Sequence, residues 1–166
     1  MKMGLRVSLF VVGVVVVMSG PAKAQVMSKS EYQAFIKRLD VNIPQWERVF
    51  KLVNVEDMAV SYAVGKVVAG NQEMALKNLE LVHRAIALEL VHPRLSNQIQ
   101  IEGSLTDAAS ALSEMESLLP TTGSTKRWED AGVSAMTEIG KYIIPLKVHI
   151  EALADELQDR ANKCSE

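Results

Sequence analysis

The stretch Leu79–His92 reads LELVHRAIALELVH and contains the pentapeptide LELVH twice, at Leu79–His83 and Leu88–His92. Each copy sets a histidine three residues after a glutamate, the Glu-x-x-His pair with which carboxylate-bridged bundles hold iron. Those sites draw one such pair from each of two helices, whereas both pairs here lie in one continuous helical stretch. His83 and His92 are nine residues apart, and at about 100° per residue they fall on roughly opposite faces. One ion cannot join them. The row Leu76, Leu79, His83, Ile86 and Leu90 follows 3–4–3–4 spacing, which places His83 on an apolar face. Leu81, Ala85, Leu88 and His92 form a flanking apolar row. Glu73, Lys77, Glu80 and Arg84 make the polar face, with Glu73–Lys77 and Glu80–Arg84 as i,i+4 pairs worth about 0.2–0.5 kcal/mol each. A helix so broadly apolar belongs inside a bundle, and packing outweighs metal binding as its role.

Residues 1–24 read as a cleaved signal peptide. Lys2 and Arg6 supply a positive start, Leu9 to Met18 an apolar run, and Ala22-Lys23-Ala24 an A-x-A cleavage site. The run is short for a span of about 20 residues, so the chain is expected to be exported to the periplasm or secreted, with cleavage after Ala24 and no membrane span afterwards. Residues 25–166 then form one domain. Of the 18 basic residues, Lys2, Arg6 and Lys23 leave with the signal, and 15 basic face 20 acidic residues for a net charge of −5. That balance argues against nucleic acid, whose phosphates need clustered Lys and Arg. With one cysteine, Cys164, no internal disulfide can form; it reads as a free thiol in the frayed tail, with an intermolecular bridge, hence a dimer, as the alternative.

Helical periodicity covers most of the remainder. Ser28 and Ser30 offer overlapping capping boxes with Glu31 and Gln33. Tyr32, Ile36, Leu39, Ile43, Trp46, Phe50 and Val53 then keep 4–3–4–3 spacing straight through Pro44. A second helix is expected from a cap at Asn54, ending at Gly70-Asn71, where a short joint would turn the chain back into the Leu79–His92 helix. Pro93 stops that helix after His92. The alternation Asn97-Gln98-Ile99-Gln100-Ile101-Glu102 predicts a loop or extended segment to Gly103. A helix follows on Ile101, Leu105, Ala108, Leu112, Met115 and Leu119. Pro120–Thr125 is a loop. The last helix begins near Ser124 with Val133, Met136, Ile139 and Ile143 inward. It is kinked at Pro145, or broken there by an extended piece pairing with Ile99–Ile101, and continues on Leu146, Ile150, Leu153 and Leu157. The fold class is all-α: an antiparallel bundle of four to five helices with proline kinks or breaks near Pro44 and Pro145.

Several residues together suggest a relationship. Ala63, Gly70-Asn71, Ala75-Leu76, Leu79, Pro93-Arg94-Leu95, Ala131, Ile144-Pro145-Leu146 and Ala152 occur in an order that resembles the YfdX family of exported bacterial helical proteins, over roughly residues 59–157. The resemblance implies a periplasmic, non-enzymatic protein tied to stress or acid response and chaperone-like, with no catalytic residues to carry over.

The residues themselves offer little catalysis. The chain has no G-x-S-x-G, no G-x-x-x-x-G-K-[ST], no G-x-G-x-x-G and no C-x-x-C-H. It reads as a non-enzyme without a resident cofactor, binding protein partners or itself. The alternative is a carrier of non-covalent b-type haem or a metal, with His83 and His149 as candidate ligands and no dedicated metal cluster. A further expectation follows from placing His83 on the apolar face. Burial would hold it neutral, and acid would loosen the bundle.

Overall fold

The computed structural model describes residues 26–52, 61–119 and 126–164. They form four α-helices, α1 (Lys29–Lys51), α2 (Tyr62–Val91), α3 (Leu95–Leu118) and α4 (Lys126–Lys163), with no strand among the described residues. The expected signal peptide, the cap at Asn54 and the loop Pro120–Thr125 lie outside them.

α1 opens on the expected capping box. Ser28 Oγ accepts the Glu31 N–H at 3.3 Å, and the Ser28 N–H donates back to Glu31 Oε2 at 2.8 Å. Tyr32, Ile36, Leu39, Ile43, Trp46 and Phe50 are all buried, joined by Phe35. Pro44 lies inside α1 and Pro145 inside α4, and both helices run through them unbroken. Both prolines are exposed, on the side where a carbonyl deprived of its helical donor can be hydrated. The extended break expected at Pro145, pairing with Ile99–Ile101, is therefore not formed.

Two further expectations are corrected. There is no joint at Gly70-Asn71, because α2 runs continuously from Tyr62 to Val91. Val68, Asn71, Ala75, Leu79, Val82, Ile86 and Glu89 form one buried row across the glycine. A helical glycine costs only about 1 kcal/mol relative to alanine, less than the burial of this row returns. The chain turns back at His92, Pro93 and Arg94 instead, so the hairpin joins α2 to α3. Nor is 95–103 extended: α3 begins at Leu95. Gln98, Ile101, Ser104 and Leu105 are buried at helical spacing, while Ile99 is 51% exposed. The polar–apolar alternation was incidental to a helical register.

The helices close into a ring in which α1 packs on α2, α2 on α3, α3 on α4 and α4 back on α1. Cross-helix contacts set their directions. Gln72 Nε2 donates to the Phe50 carbonyl at 2.7 Å, and His83 approaches Asp40, so α2 runs against α1. Tyr32 stacks on His149, and Phe35 and Trp46 lie against Tyr142, so α4 also runs against α1. Asn42 Nδ2 donates to the Tyr142 hydroxyl at 2.7 Å, fixing that seam. The start of α1, the end of α2, the start of α3 and the second half of α4 thus meet at one end.

The repeated pentapeptide tests this packing directly. Leu79 is fully buried and Leu88 is 59% exposed. Leu79→Ala should cost about 2–5 kcal/mol of stability and Leu88→Ala no more than about 0.5 kcal/mol, read from urea unfolding midpoints. An added Cβ at Gly70 meets nothing within 4 Å. Gly70→Ala should therefore stabilise the chain by about 0.5–1 kcal/mol in the same assay, whereas a left-handed joint there would make it destabilising.

Candidate functional site

Nine residues turn an α-helix by about two and a half revolutions. The two LELVH copies consequently present opposite members. Glu80 in the first copy is exposed and pairs with Arg84. Glu89 in the second is 2% exposed. Pro93 stops α2 four residues beyond Glu89, and α3 starts beside it. The Arg94 N–H donates to Glu89 Oε2 at 2.9 Å and Gln98 Nε2 donates to Glu89 Oε1 at 2.7 Å. Arg94 caps α3 without a side-chain bond of its own, so the Glu89 carboxylate stands where the positive end of α3 favours an anion. Asn97 Nδ2 closes the turn on the His92 carbonyl at 3.0 Å.

α1 and α4 complete the site. The rings of Tyr32 and His149 stack with centroids 4.5 Å apart and planes 13° apart, at 6% and 5% exposure. Burial first, then the charge of Glu89, pushes the Tyr32 phenol well above its ordinary value. Burial holds the His149 imidazole below its ordinary value, and the same carboxylate opposes that shift without reversing it. Tyr32, Glu89, Gln98 and His149 line a pocket of about 360 Å3 together with the apolar side chains of Met27, Ile36, Leu90, Pro93 and Leu153. Lys29 and Glu156 also line it, and both are exposed. Gln98 Oε1 and His149 Nδ1 are buried without a hydrogen-bond partner, and the buried Tyr32 hydroxyl lies beside the Glu89 carboxylate. Buried polar atoms are ordinarily satisfied, so two orphan acceptors in one pocket are unusual.

The two candidate histidines are separated. His149 belongs to this pocket. His83 does not lie on a buried face: its side chain is 55% exposed, with Nε2 3.6 Å from Asp40 of α1. Asp40 and Tyr32 lie eight residues apart on α1, about 12 Å along the axis. His83 was misplaced by phase, since the buried row runs through its neighbour Val82. The expectation that His83 is a buried histidine is overturned, because its side chain stands in solvent beside α1. His92 is exposed as the C-cap of α2, and Cys164 is a free, exposed thiol. No group of three or more His, Cys, Asp or Glu side chains suited to a metal occurs among the described residues.

Glu89, Gln98 and Tyr32 were not among the candidates read from sequence. One signal was present: Val68, Ala75, Val82 and Glu89 are spaced by sevens, which puts the glutamate on the core row.

The pH dependence of stability follows from the stacked pair. The unfolded chain protonates His149 near 6.5, and the folded chain does so only at lower pH. Between these values the unfolded state binds more protons, so stability should fall as pH drops through 6.5 and level off below the folded value. At the other end the unfolded Tyr32 phenol ionises near 10.0 and the folded one only at higher pH, so stability should fall as pH rises beyond 10.0. In urea titrations, His149→Phe should flatten the acid limb and Tyr32→Phe the alkaline limb. Comparison with protein-family models, with curated proteins and with solved structures finds no match to this chain.

Proposed function

We propose that this chain is a non-enzymatic, exported helical protein that binds protein partners in a stress-related, chaperone-like role, as its resemblance to the YfdX family suggests. The observation that carries this reading is a second apolar stripe on α2. Val67, Met74, Leu81 and Leu88 recur at intervals of seven. Val67, Met74 and Leu88 are 45%, 51% and 59% exposed, and Leu81 is half-buried. Seven-residue spacing is what one helix presents to another that packs along it. Beside the stripe run the exposed charges Lys66, Glu73, Lys77, Glu80 and Arg84, which suit the polar rim of an interface. Export rests on the charged, apolar and A-x-A succession in residues 1–24. No helix among the described residues is long and apolar enough to cross a membrane.

The haem or metal reading is weaker. Met27 and His149 do line one pocket, but so does the buried side chain of Glu89. The buried carboxylate and unpaired polar atoms there suit hydrogen-bond donors better than an apolar macrocycle.

The double variant Met74→Lys/Leu88→Lys tests the stripe. Both sites are exposed, so unfolding stability should change by no more than about 0.5 kcal/mol. Suppression of light scattering from an aggregating, acid-unfolded client should be strong in the parent and mostly lost in the variant. Equal suppression by both, or none by the parent, removes the reading.

A further inference from the structure

We infer that the pocket at the Glu89 end of the bundle binds a small amphipathic primary amine, its ammonium group against Glu89 and its apolar tail against Met27, Ile36, Leu90 and Leu153. This inference does not depend on the α2 stripe or on protein partners.

The polar inventory selects the ligand. Both Glu89 oxygens accept hydrogen bonds from N–H donors, the arrangement of an ionised carboxylate, and each keeps further acceptor capacity. No cationic side chain pairs with Glu89 among the described residues. Arg94 offers only its backbone N–H and is itself exposed. The Gln98 amide is fixed by its bond to Glu89, because flipping it would set oxygen against oxygen. Its Oε1 is therefore an acceptor with nothing to accept. Burial keeps His149 neutral, so Nδ1 can also accept in the same pocket, and the Tyr32 hydroxyl lies beside Glu89 at its wall.

The site thus combines one buried negative charge, an excess of acceptors, and walls that are otherwise largely apolar. An anion would be repelled by Glu89. A neutral alcohol could satisfy some acceptors and leave the charge. A quaternary ammonium would answer the charge and leave every acceptor unmet. A primary ammonium carries three N–H donors and the charge together. At about 360 Å3, the pocket lies toward the small end of ligand sites, which run from roughly 300 to 1,000 Å3. Lys29 and Glu156, of opposite sign, both stand at its exposed margin and leave Glu89 to set the charge inside.

Calorimetric titration of the full chain with n-octylammonium, octyltrimethylammonium, octanol and octanoate, all below micellar concentration, tests this. Octylammonium should bind at one site per chain. Octyltrimethylammonium and octanol should bind at least tenfold more weakly, and octanoate not measurably. Leu153→Trp, which fills the pocket, should abolish octylammonium binding; Glu89→Gln should weaken it at least tenfold and Tyr32→Phe severalfold. Equal affinity for octanol and octylammonium, no octylammonium binding, or unchanged binding in Leu153→Trp would each overturn the inference. So would unchanged binding in a folded Glu89→Gln. If circular dichroism shows Glu89→Gln unfolded, the ligand series on the parent together with Tyr32→Phe decides the matter.

Discussion

The carboxylate of Glu89 is the joint on which this bundle turns. Removing an ionised group from water costs several kcal/mol unless hydrogen bonds replace hydration, and hydrogen bonds to charged groups return about 1.5–3 kcal/mol each. Glu89 receives two, both from the first residues of the next helix. The acid can be buried only if α3 begins where it does, and α3 lacks a side-chain cap of its own. Each element needs the other. Pro93 supplies the stop, Arg94 the first donor and Gln98 the second, so the direction of the α2–α3 hairpin is tied to one side chain.

The rest of the core is conventional by comparison, and it isolates the polar end. Leu79, Val82, Ile86, Ile101, Leu105 and Leu112 are all fully buried, and small residues at Ala75, Ala85, Ala108 and Ala111 let the bundle close. Farther along α1, the Tyr142 seam with Phe35, Trp46 and Asn42 holds α4 in place. Against that frame, the Tyr32–His149 stack and the Glu89–Gln98 pair form a buried polar patch within an apolar wall. Buried polar groups in such a setting are costly when left unmet, which is why the pocket there has chemical character and is more than a packing defect.

Burial governs the titration of the stacked rings, and the same carboxylate modulates it. Burial first, then the charge of Glu89, raises the phenol of Tyr32, and that charge works against burial at His149. Proton binding is therefore linked to stability at both ends of the pH range through one pair of rings. His83, more conspicuous in sequence, lies outside this unit on the solvent side of the α1–α2 contact.

Periodicity alone determined that the chain is helical, that α1 keeps its register through Pro44, that Pro93 ends α2, and that Leu105, Ala108, Leu112 and Met115 face inward. These follow from local spacing, and apolar residues at 3–4 intervals have one economical place to go. The phase of α2 was another matter. Hydropathy favoured Leu76, His83 and Leu90 with Leu79 and Ile86. The fold buries Ala75, Val82 and Glu89 with that same pair, one residue round the helix. Only tertiary structure could make the choice, because small residues allow close helix approach and Glu89 finds its donors on α3. Neither reason is visible in a hydrophobicity pattern. Gly70-Asn71 and the 97–102 alternation misled in the same way: each signals a turn or strand locally, and each is overridden once a long helix can bury a continuous row on its neighbours.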